Sequence, residues 1–164
     1  MKILRKVAVL ILCLGLLGFG INYIFLTTHV SVDEIESIYV YHTENGARIK
    51  EYNINFVEKK LYSFESTDGG NRNGETNDGY QGVVSVSDEQ LARFVSGANS
   101  CAFFNWKLRY VDESITDTSA YPQWGVEVKY KNSAMSKTVG IGAYPMRFEY
   151  MQKVFKQSFG LNIL

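Results

Sequence analysis

Apolar residues recur along this chain in three ways, and each predicts a different kind of element. Residues 7–26 read VAVLILCLGLLGFGINYIFL, an apolar run with no charged residue. At 1.5 Å per residue, a helix of that length spans about 30 Å, the thickness of a bilayer's hydrocarbon core. Beyond it the pattern becomes alternation. Ile35–His42 puts Ile38 and Val40 on one side and Tyr39 and Tyr41 on the other. In residues 48–57, Tyr52, Ile54 and Phe56 alternate with Asn53 and Asn55, and 61–65 predicts a third strand with Tyr62 and Phe64 inward. An Asn45-Gly46 turn signal joins the first two. These strands suit an antiparallel meander with one wet face.

Residues 66–82 break the pattern with glycines, asparagines and acids and no aliphatic residue. A loop of this length is functional or mobile. Alternation returns at 83–86, at 104–110 (Phe104, Trp106, Leu108, Tyr110) and most clearly at Trp124, Val126, Val128 and Tyr130. Asn132-Ser133-Ala134 then turns the chain into a strand over 135–141. Helical spacing appears twice. Ser87 and Gln90 form a capping box before Leu91, Phe94, Val95 and Ala98. Pro145, suited to a first helical turn, precedes Phe148, Met151, Val154, Phe155 and Phe159, and Gly160 suits the stop. The expectation is an α+β domain: an antiparallel sheet of six to seven strands with two helices on one face. It is preceded by one N-terminal transmembrane helix. The organisation is a basic segment at 1–6, the span at 7–26, a tether at 27–34 and one extracytoplasmic domain at 35–164.

Charge sharpens the topology. The chain has 17 basic and 17 acidic residues, formally neutral. That zero divides into +3 before the apolar run, −7 over 27–125 and +4 over 126–164. Lys2, Arg5 and Lys6 precede the run and no basic residue follows it until Arg48, which places the amino terminus in the cytoplasm. A cleaved signal with Gly18-Phe19-Gly20 before the cut is the alternative, giving a secreted protein. It would leave INYIFL as an apolar new terminus, which favours the uncleaved anchor. Lipidation at Cys13 is disfavoured because Leu10-Ile11-Leu12 precede it. The acidic balance of the remainder excludes a basic nucleic-acid binder.

Candidate chemistry is sparse. His29 and His42 are the two histidines, and Cys101 is the one cysteine outside the apolar run. They give no triad and no usual zinc set, so neither a catalytic residue, a metal ligand nor a cofactor is assigned. Cys101, between a helix and Phe103-Phe104, reads as a buried inert thiol. The 66–82 loop fails the spacing of an EF-hand. Asp112, Glu113 and Asp117 form an acidic loop beside Trp106, Tyr110, Tyr121 and Trp124, which leaves a small hydrolase open. Lys129, Lys131 and Lys137, sharing the wet face of a hairpin, are candidates for an anionic surface, with Tyr80 and Tyr121 as further contact residues. Edge lysines that discourage aggregation explain the same pattern.

The stretch Trp124–Tyr130, then Gly140-Ile-Gly-Ala-Tyr-Pro145 leading to Phe148, resembles small anchored or secreted ectodomains of unknown function from Gram-positive bacteria. That resemblance is best over 124–148 and implies placement at the cell envelope and fold, with no activity to carry over. The leading expectation is a non-catalytic, single-pass membrane protein whose ectodomain binds an envelope protein or anionic envelope polymer. A hydrolase or enzyme inhibitor acting on envelope material is one alternative. An immunity-type or accessory subunit of a membrane complex is another.

Overall fold

The computed structural model describes residues 29–44, 46–65, 82–118 and 121–163. The expected spanning helix at 7–26, most of the 66–82 loop and Tyr80 lie outside the described residues. Among the described residues, no helix is long and apolar enough to cross a membrane.

Seven strands, β1 (Ile35–Glu44), β2 (Ala47–Asn55), β3 (Lys60–Glu65), β4 (Gly82–Ser85), β5 (Arg109–Val111), β6 (Gln123–Tyr130) and β7 (Met135–Ile141), form one sheet in the order β4-β3-β2-β1-β6-β7-β5. Every neighbouring pair is antiparallel except β5 with β7, so the sheet is mixed rather than antiparallel throughout. The exception follows from where the fifth strand lies. Instead of a strand over 104–110, the left-handed Ala102 (φ 55°) turns the chain, and Phe103–Asn105 form a 3-10 turn. Phe103 and Phe104 are thereby buried under the helices, and only Arg109–Val111 reach the sheet edge.

Period-two patterning assigns the faces correctly along β1, β2 and β6. Ile38, Val40, Tyr52, Ile54, Trp124, Val126 and Val128 are all buried on one face. On β3 the parity is opposite to expectation. Leu61 pairs with Ile54 and is therefore in the core, which sends Tyr62 and Phe64 to the other face. A sheet side chain takes its face from its cross-strand partner, and an aromatic pair alone does not fix it.

Helices α1 (Asp88–Ser100) and α2 (Phe148–Phe159) cover the core face. The Ser87–Gln90 capping box is formed in both directions. Leu91, Phe94, Val95 and Ala98 of α1 interlock with Met151, Val154 and Phe155 of α2, and the Phe94 and Phe155 rings meet edge-on at 4.9 Å. Gly97 makes the close helix approach possible: a Cβ there would sit 2.7 Å from Val154. Cys101 is buried beside Met151, and burial raises its thiol to about 11, as expected of an inert thiol.

The domain begins earlier than expected. Val30 is buried, and its N–H and C=O both bond the Asn99 side chain, at 3.0 and 2.7 Å. Residues 30–34 therefore belong to the domain rather than to a tether.

Candidate functional site

The helix α2 is amphipathic, and its solvent side carries the functional candidates. Glu149, Gln152, Lys153 and Lys156 are spaced three and four apart, which lines them along one flank. Both ends of the helix are fixed. Arg147 adopts a left-handed backbone (φ 66°) at the start, where the Phe148 N–H bonds the Pro145 carbonyl at 3.1 Å. Pro145 thus lies three residues before the helix instead of in its first turn. At the other end Gly160 (φ 75°) closes the last turn onto Lys156 O, as its position in sequence predicts.

After Gly160 the chain comes back over β2. Ile163 is buried, and the Tyr52 hydroxyl donates to Glu65 at 2.6 Å while lying 3.3 Å from the Asn162 carbonyl. Burial, reinforced by that bond to Glu65, raises the Tyr52 phenol well above its ordinary value. Its neighbour on the same strand face, two residues back, is Lys50. Lys50, Lys153, Lys156 and Asn162 consequently converge, with Glu149 and Gln152, around a groove of about 500 Å³.

A second cavity of about 500 Å³ continues along the same flank, sharing Glu149 and Gln152 and adding Tyr144, Pro145, Arg147 and Phe148. Its wall is aromatic. Tyr144 is half exposed and stacks nearly parallel on Trp124, with ring centres 5.9 Å apart, while Phe148 lies 4.6 Å from Tyr144. Trp124 is held by its indole N–H on the Ala143 carbonyl (3.1 Å). It lies flat over Gly140, where a Cβ would fall 2.0 Å from the ring. That close approach gives Gly140 its role in the 140–145 motif.

Electrostatically the flank differs from the rest of the surface. Six ion pairs occur among the described residues, and they engage Arg48, Lys59, Lys60, Arg93, Lys129 and Lys137. None of them involves Lys50, Lys153 or Lys156. Three cations facing one concavity, with one carboxylate among them, leave a net positive groove able to accept an anion.

The residues expected from sequence fall elsewhere. Lys129 and Lys137 do share the open face of the sheet, but they bond Glu36 and Glu127 respectively. The bond to Glu127 raises the Lys137 ammonium above its ordinary value. Lys131 is exposed in the turn after β6, and Tyr121 is exposed just before that strand. In the acidic loop, Asp112 accepts from the Ser114 hydroxyl (2.7 Å) and N–H (2.9 Å), which hold its carboxyl below the ordinary range. That is a turn stabilised from within. Glu113 and Asp117 are exposed in the same loop. Asp112, at the end of β5, lies three strands from His42, a separation of about 14 Å, so that pair does not face one cleft. Trp106, Tyr110 and Trp124 instead pack on one another. No group of three or more metal-binding side chains occurs among the described residues.

Sequence reasoning missed the groove lysines, although a signal existed. Lys153 and Lys156 stand on the polar side of a clear amphipathic helix, and Lys50 holds an inward position on β2. Their convergence depends on the return of residues 160–163, for which no local pattern exists. Compared with known proteins, the chain matches no family model, no curated protein and no solved structure, so the candidate site rests on its own geometry.

Proposed function

We propose that this chain is a membrane-anchored, extracytoplasmic binding protein whose α2 flank receives an anionic polymer of the cell envelope. The observation that carries the reading is the convergence of Lys50, Lys153 and Lys156, unpaired among the described residues, on a groove continuous with an aromatic wall. Lysine is a point-charge partner for phosphate and carboxylate groups. Tyr144, backed by Trp124, offers a flat apolar face to a sugar or polyol unit. From Phe148 to Lys156 the helix rises about 12 Å, so the two halves of the groove would engage successive units of one strand. Anchoring is supported by the uncharged run at 7–26 with Lys2, Arg5 and Lys6 before it. The roles share no chemistry that breaks a bond, and binding is the simplest use of them.

The test is fluorescence anisotropy of a labelled poly(glycerol phosphate) chain with the full-length protein in nanodiscs of zwitterionic lipid. Replacing Lys50, Lys153 and Lys156 by Gln should weaken binding by about fivefold each, the effect of about 1 kcal/mol per cation near an anionic surface. Affinity for the triple variant within twofold of the parent would overturn the reading.

A further inference from the structure

The position at which the chain enters the domain decides which surface meets the lipid. Residues 27–29 are all that separates the apolar run from Val30, and three extended residues reach at most about 11 Å. The headgroup layer on one side of a bilayer occupies about 5–7 Å of that. Val30 is bonded to Asn99 at the carboxyl end of α1, and Arg147 donates to the Ser100 carbonyl at 2.8 Å. The amino-terminal end of α2 therefore sits beside the entry point. The antiparallel helix pair carries its other end away, where Gln90 bonds the Ser158 carbonyl.

What this end displays is unusual for a surface meeting water alone. Met146 is 84% exposed, the highest value among the large exposed apolar residues, and Tyr150 is 49% exposed one turn along. Arg147 stands between them. It takes the left-handed conformation (φ 66°) without being glycine, a strained backbone state that persists where the surroundings require it. Here the buried Pro145 and Phe148 fix the turn from both sides, and the result is an outward-pointing Met146. An apolar tip, a tyrosine and an arginine together suit the boundary between headgroups and acyl chains. The acidic Asp33 and Glu34 lie on the same entry segment and disfavour a purely electrostatic contact, so insertion of the apolar tip is the main interaction.

We infer that the Met146–Tyr150 corner is a lipid-contacting surface, seating the domain on the bilayer from which its anchor emerges. The inference rests on the anchored reading above. It adds an orientation: α2 leads away from the lipid, with its aromatic cavity proximal and its lysine groove distal.

The experiment places benzoylphenylalanine at one position at a time in the full-length chain, reconstituted in phospholipid vesicles, and measures phospholipid adducts by mass spectrometry after illumination. The positions are Met146, Tyr150, Val83 and Phe19, the first three being exposed and therefore tolerant of the probe. Val83 on β4, far across the sheet from β6 and β7, is the water-facing control. The expected result is at least tenfold more lipid adduct from Met146 and Tyr150 than from Val83, with Phe19 labelled as well. Adducts at Phe19 with equal yields at Met146 and Val83 would overturn the seating and leave the anchor intact. No lipid adduct at Phe19 would overturn both.

Discussion

The two faces of the sheet treat their charges in opposite ways. On the open face Arg48 lies over the Tyr39 and Tyr41 rings and bonds the Tyr39 hydroxyl, which donates in turn to the buried Glu51. Lys129 and Lys137 are matched by Glu36 and Glu127. That face is rich in aromatic and charged groups, yet these charges are matched by one another. Along the α2 flank the cations have no such partners among the described residues. Residue types alone would rank the open face as the better binding surface. Pairing reverses the ranking, because a neutralised lysine has little field left to offer a ligand.

The largest expected effect lies beneath the aromatic end of the groove. Trp124→Ala removes the ring that supports Tyr144 and packs on Phe148 and Trp106, and should cost about 3–5 kcal/mol in urea unfolding. On the open face, Glu51→Ala removes the buried carboxylate that accepts from the Tyr39 hydroxyl and pairs with Arg48, and should cost about 2 kcal/mol by the same measurement. Polymer binding should survive that change. Loss of binding there would break the contrast between the faces.

His42 sharpens the contrast from the flank side, since it pairs in register with both Lys50 and Trp124. Its Nδ1 is buried with no hydrogen-bond partner among the described residues. Burial is the chief cause of a lowered imidazole value, with Lys50 lowering it further and Glu44 opposing. In acid the unfolded chain protonates first, so stability should be full above about pH 6.5 and fall as the pH drops toward the lower folded value. The slope should disappear in His42→Gln, measured as the urea midpoint against pH. The smallest effect belongs to the paired lysines: Lys129→Gln should change stability by less than about 1 kcal/mol.

Much of this architecture was readable in the chain. Period-two patterning located β1, β2 and β6 and their buried faces, and the capping box and the Gly160 stop located the helices, because those signals act over a few residues. The signals failed where a distant partner decides. Tyr62 and Phe64 face away from the helices because Leu61 registers with Ile54. The 104–110 alternation yields to Ala102, whose left-handed turn brings Phe103 and Phe104 under the helices. The site was less legible than the fold. Lys129 and Lys137 stand out in a strand pattern, but Glu36, which neutralises Lys129, is 93 residues away in sequence. Lys50 likewise meets Lys153 and Lys156 only through the folded chain.

The central claim is that pairing, more than charge, determines which face binds. It is tested most directly with two variants of equal net charge, Lys153→Gln/Lys156→Gln on the flank and Lys129→Gln/Lys137→Gln on the open face. Their affinities for labelled poly(glycerol phosphate) would be measured at one ionic strength. The flank pair should lose about 25-fold, at about 1 kcal/mol for each cation, and the open-face pair less than about twofold. Equal losses from the two variants would contradict the claim.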